Sequence, residues 1–236
     1  MLKKLTALVL TLLLCVAFVG CGDNANTPKD NDTNNEESTP SINDILSNAT
    51  VGSTITFGKY DIDKSTEEKE DLEWLVLDKQ DGKLFVISKY VVETGNYYDD
   101  LPWEKSKLRS WLHNDFTPAA FSSEESEKIL NTRVENTGYE GDIIFEKRYD
   151  PTDDKVYIPS FSELKKYGLS TESFAADDES RIAYTFDGQA CSWLLRNTTS
   201  KANGFCRLTK TGVYYFASAN YGDTGIRPVM WLSYNW

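Results

Sequence analysis

The stretch EWLVLDKQDGKLFVISKY, residues 73–90, decides the fold class. At its centre, Asp81-Gly82 supplies two residues that tolerate positive φ, the mark of a tight two-residue β-hairpin turn, with apolar runs on both sides. Residues 73–79 and 83–90 are therefore expected to pair as antiparallel strands. Trp74, Leu75, Val76 and Leu77 are apolar in succession, which predicts a strand covered on both faces.

Outward from this hairpin, residues 54–60 read as a further strand. Pro102 opens a segment in which Leu108, Trp111, Leu112 and Phe116 recur at helical spacing, predicting one amphipathic helix of about three or four turns. Ser122 with Glu125, and Ser160 with Glu163, have capping-box spacing and start two further helices, the second ended by Gly168. Residues 155–159, 212–219 and 226–233 read as strands. Strands and helices that segregate instead of alternating indicate an α+β fold, a mixed or antiparallel twisted sheet with two or three helices.

The chain has 236 residues, 40% hydrophobic and 26% charged, the balance of a globular domain. Its N-terminus is organised differently. A basic start at Lys3 and Lys4, an apolar run over residues 5–19 and the small Gly20 before Cys21 form an export signal. The apolar run falls short of the about 20 residues that a spanning helix needs. Phe18-Val19-Gly20-Cys21 resembles the lipobox of bacterial lipoproteins, which implies cleavage after residue 20, lipidation of Cys21 and anchoring on the outer face of the cell membrane. Residues 22–41 hold no aromatic residue and no aliphatic one larger than Ala25, too little apolar surface to offset the entropy of ordering. The expected organisation is a signal peptide at 1–20, a lipidated cysteine and polar tether at 21–45, and one globular domain at 46–236. Removing residues 1–20 leaves 23 basic against 37 acidic residues, a net charge of −14, which argues against nucleic acid as a partner.

Seven motifs resemble a bacterial domain of unknown function that is frequent in exported proteins of Gram-positive bacteria. They are residues 55–60; 73–77 with 87–90; Trp103, Glu104, Ser106, Leu108, Arg109, Trp111 and Leu112; 120–122; 154–160 with Glu163; 193–196; and 225–228. The last two are also similar to strands of the formylglycine-generating-enzyme and C-type-lectin superfamily. That resemblance implies a C-type-lectin-like fold with a twisted central sheet and a ligand-facing end framed by those strands. No copper-binding thiol pair and no carbohydrate-binding calcium motif accompanies it.

The candidate sites follow. Cys191 and Cys206 are the two thiols left after Cys15 is cleaved and Cys21 lipidated. In an exported protein they read as a structural disulfide, with a redox or copper pair and free thiols as alternatives. Arg196 and Arg227 occupy corresponding places in two motif strands, so they either line a pocket for an anionic or hydroxylated ligand or are structural arginines buried against acids such as Glu73, Glu104 or Glu163. Trp103 and Arg109, with Trp74 and Trp111, read as packing and salt-bridge residues. Trp193, Tyr214 and Tyr221 are candidates for a sugar-binding surface, as are Tyr97, Tyr98 and Tyr215. The acidic runs Asp150, Asp153, Asp154 and Asp177, Asp178, Glu179 read as solvated loops, with calcium as the alternative; no other cofactor is expected. His113 reads as a surface or cap residue. Together these features lead to a lipid-anchored protein with a non-enzymatic binding domain for a glycan or protein. An oxidase of the formylglycine-generating type and a purely structural envelope protein are the alternatives.

Overall fold

The computed structural model describes residues 40–63, 68–95, 101–140, 143–170, 176–198, 205–216 and 224–235, the side chains of 137–140, 143–148 and 216 excepted. They belong to one compact unit, Thr39–Trp236. The signal peptide, Cys21, most of the tether, Tyr97, Tyr98 and Tyr221 lie outside the described residues.

In chain order the elements are α1 (Ile42–Asn48), β1 (Thr54–Tyr60), β2 (Glu70–Gln80), β3 (Lys83–Ser88), β4 (Glu93–Thr94), α2 (Lys107–Trp111), α3 (Thr117–Ala120), α4 (Ser123–Lys128), β5 (Thr132–Glu140) and β6 (Ile143–Asp154). They continue with β7 (Val156–Tyr157), α5 (Phe161–Lys166), β8 (Ala183–Tyr184), β9 (Ala190–Cys191), β10 (Trp193–Thr198), β11 (Phe205–Leu208), β12 (Tyr214–Phe216), β13 (Gly225–Ile226) and β14 (Val229–Ser233). One sheet runs β1-β2-β3-β14-β7 and a second runs β12-β11-β10-β13-β4, with the β5–β6 ribbon joined to β10; β8 and β9 pair separately. The fold is mixed α+β, with mainly antiparallel pairing and short helices.

The Asp81-Gly82 hairpin forms as its sequence dictates: φ is 48° at Asp81 and 74° at Gly82, as a turn with two left-handed residues requires. The strand covered on both faces is β3, not β2. Leu84 to Ser88 are all buried, because β3 is the middle strand of its sheet. In β2, Leu72, Trp74 and Val76 are buried and Leu75 and Leu77 only half-buried.

The amphipathic helix is a composite rod. A 3-10 turn (Trp103–Lys105) leads into α2, a wider π-helical turn (Leu112–Phe116) and α3. Pro118 accounts for the wide turn: it has no N–H, and its ring would crowd the carbonyl of Asn114 in a regular helix. The rod packs on the first sheet, Phe121 lying 5.5 Å from Phe57 and 6.1 Å from Trp74 between ring centroids. The helix count exceeds the expected two or three, since α1 begins inside the stretch read as tether. Ser41 and Asp44 form a capping box, and Ile42, Ile45 and Leu46 present one apolar face to the core.

Candidate functional site

Residues 226–233, read as one strand, are two strands in different sheets. β13 pairs β4 and, in parallel, β10 through Gly225 opposite Trp193; β14 pairs β3 and β7. Arg227 and Pro228 carry the chain between the sheets. Pro228 has no N–H to give to a ladder, and its carbonyl accepts the N–H of Ser88 at 2.9 Å. Gly225 allows the close approach: a Cβ there would lie 2.7 Å from both methyl carbons of Val91 and 3.1 Å from Cys191 Sγ.

At this crossing Arg227 is 6% exposed. Its Nε donates to the Ser88 carbonyl at 2.7 Å, and its guanidinium carbon lies 5.3 Å from the centre of the Trp193 ring. Trp193 is itself held by donation from Nε1 to the Arg181 carbonyl at 2.8 Å. No carboxylate among the described residues pairs with Arg227. Burial alone lowers its proton affinity to about 10, so it stays charged at neutral pH. The Ser88 hydroxyl is buried and has no partner among the described residues.

Arg196 is different. Glu163 lies 3.0 Å from its Nη2, the Ile158 carbonyl accepts Nη1 at 2.6 Å, and the Tyr157 ring lies beneath it at 5.2 Å. Of the two motif arginines, one is the structural arginine paired with a named acid and the other is not.

A second polar cluster lies where the helical rod meets β6. Asp154, fully buried, receives Trp103 Nε1 at 2.8 Å and Thr152 Oγ1 at 2.7 Å on Oδ2, and Arg109 Nε at 2.7 Å on Oδ1. His113 Nε2 stands 3.2 Å from the same Oδ1. Burial by itself would raise the Asp154 pKa. The neighbouring His113 and the donors Trp103, Thr152 and Arg109 outweigh it and hold the pKa at about 2.

With this geometry in hand, the family described as Domain of unknown function (DUF6273) matches residues 81–234. The chain belongs to the DUF6273 family. No curated protein matches the chain, and no solved structure does. The DUF6273 match begins at the hairpin turn and ends just past β14, so both the Arg227 crossing and the Asp154 cluster lie inside it.

The remaining candidates divide by burial. Trp193 has no exposure and Tyr214 has 5%, its ring edge-on to Phe161 at 5.4 Å, so neither offers a face on which a sugar could stack. The exposed aromatics among the described residues are Tyr184, Phe186 and Tyr215. Phe186 joins Ile62, Val92, Glu93, Thr94 and Asp187 around a cleft of about 270 Å³ beside β4. Trp74 is core, with Nε1 donating to the Phe57 carbonyl at 2.7 Å, and Trp111 packs against Phe116.

The expected Cys191–Cys206 disulfide is not shown: both cysteines are buried, and no bond between them is present. Cys191 Sγ faces the Ser192 carbonyl at 3.2 Å and the backbone at Gly225, while Cys206 lies in β11 beside Tyr214. Burial pushes the Cys206 thiol up to about 12, against a small opposing effect of Tyr214. Thiolate chemistry at Cys206 is thereby suppressed.

The acidic runs are not simple loops. Asp150, Asp153 and Asp154 belong to β6, and Asp178 is buried 3.2 Å from Arg181. Among the described residues no three His, Cys, Asp or Glu side chains come together as a metal site. Asp154 as a hub, with His113 beside it, is what reading the sequence missed. The available signal was strand alternation, which places Thr152 and Asp154 on one face.

Proposed function

We propose that the chain is a lipoprotein anchored through Cys21 on the outer face of the cell membrane, and that its DUF6273 domain is a non-enzymatic binding module for a glycan or protein. The observation that carries this reading is Arg227: a guanidinium 6% exposed, seated on Trp193, with no carboxylate partner among the described residues. Burying an unpaired charge is costly, and a ligand that supplies the missing charge recovers that cost. The finer fold reading belongs to the same proposal. The parallel pairing of Trp193 with Gly225 sets the Trp-Leu-Leu-Arg strand beside the Gly-Ile-Arg strand, the frame that a C-type-lectin-like resemblance implies. The oxidase alternative has less support, because Cys206 is held as a neutral thiol and each sulfur faces different neighbours.

Two experiments test the proposal. Mass analysis of the N-terminal peptide, with Cys21→Ser as control, should show a diacylglyceryl-modified Cys21, and the variant should leave the membrane fraction. An array of glycans and envelope proteins should contain a ligand retained by the native chain and lost by Arg227→Lys. A Cys21→Ser chain that stays membrane-bound overturns the anchor, and an array without a ligand sensitive to residue 227 overturns the binding site.

A further inference from the structure

The chemistry around Arg227 narrows the ligand class, an inference that rests on the binding reading above. Nε is committed to the Ser88 carbonyl at 2.7 Å, which leaves the end of the fork, Nη1 and Nη2, to meet a ligand. Neither nitrogen has a hydrogen bond or an ion pair among the described residues, and the residue as a whole is 6% exposed. Two parallel N–H donors in one plane match two oxygens in one plane. The charge to be matched is a single positive one in a desolvated setting, inside a domain rich in acid. Phosphate carries more than one charge at neutral pH and would bring an excess negative charge into the interior; a carboxylate neutralises the site one for one. The Trp193 ring beneath the guanidinium favours an apolar stem over a hydrated one.

We infer that Arg227 anchors one carboxylate, received end-on by Nη1 and Nη2 and carried on a slim aliphatic stem.

The test uses the full mature chain in detergent micelles, with the guanidinium Nε–H resonance of Arg227 and the unfolding midpoint as readouts. The probes are acetate, pentanoate, acetamide and inorganic phosphate. The expected result is saturable binding of acetate, which has only four non-hydrogen atoms, at about millimolar Kd. Pentanoate should bind tighter by about fourfold per methylene that becomes buried. Acetamide and phosphate should give no saturable shift, and Arg227→Lys should weaken acetate binding at least about tenfold. Should Arg227→Lys fail to fold, the resonance in the native chain decides the matter alone. Saturable phosphate binding without carboxylate binding overturns the carboxylate class and leaves the binding reading standing. A resonance that no anion moves overturns both.

Discussion

Replacing each motif arginine by methionine should separate a structural cation from a waiting one. Arg196 is 4% exposed and holds Glu163 at 3.0 Å and the Ile158 carbonyl at 2.6 Å. Removing one partner of a buried pair costs about 3–5 kcal/mol. Glu163 is 24% exposed and also accepts the Ser160 N–H and hydroxyl, so Arg196→Met should cost about 3 kcal/mol, the low end of that range. For Arg227, lowering the proton affinity from 12.5 to about 10 corresponds to about 3 kcal/mol against the charged form. Methionine escapes that penalty but gives up the hydrogen bond to Ser88, about 1.5–3 kcal/mol, and the contact with Trp193, about 0.5–2 kcal/mol. These opposing effects nearly cancel, so Arg227→Met should change stability by no more than about 1 kcal/mol. The assay is urea unfolding of both variants beside the parent chain at neutral pH, followed by tryptophan fluorescence. If Arg227→Met loses as much as Arg196→Met, Arg227 is a structural residue and the argument for a waiting charge fails.

Asp154→Asn should cost about 2 kcal/mol in the same assay, since Arg109 and His113 lose the shared oxygen charge; a loss below about 1 kcal/mol would remove the cluster from the list of stabilising contacts. The Asp154 pKa is lowered from 3.8 to about 2, so its contribution is complete above pH 4 or so and disappears as pH falls through about 2. That contribution is about 2 kcal/mol at most, less the screening at half-exposed Arg109 and His113, and Asp154→Asn should flatten the acid limb of a stability-versus-pH curve by this amount. Gly58→Ala should cost about 2–4 kcal/mol: φ there is 81°, and the new Cβ would lie 2.6 Å from the Phe121 ring and 2.8 Å from the Ala120 carbonyl. Unaltered melting of that variant would contradict the packing of the helical rod on β1. Cys191 and Cys206 should resist alkylation in the native domain and take two labels once it is unfolded in urea. An intact mass lower by two hydrogens under non-reducing conditions would restore the disulfide.

What the sequence determined by itself is what short-range chemistry controls. Asp81-Gly82 specifies its turn because two residues adopt positive φ, and Ser122 and Ser160 start their helices because each side chain reaches the backbone three residues on. Leu108, Leu112 and Phe116 mark the buried stripe of the rod because helical periodicity brings them to one side. The tertiary structure decided what depends on distant partners. Asp154 stands in an acidic run that looks solvated, and only the approach of Trp103 and Arg109, 51 and 45 residues away along the chain, makes it a buried hub. The break at Arg227-Pro228 is visible as a proline, but that it transfers the chain from one sheet to another is a matter of strand order. Cysteine spacing permitted a bridge, but whether two thiols meet depends on how distant strands are placed, and the structure leaves Cys191 and Cys206 unbridged. Arg196 and Arg227 are the same side chain in matching motif strands. One differs from the other because Glu163 is folded against it, and the electrostatic state of a buried cation is set by what lies within a few ångströms in space, a quantity that position along the chain does not carry.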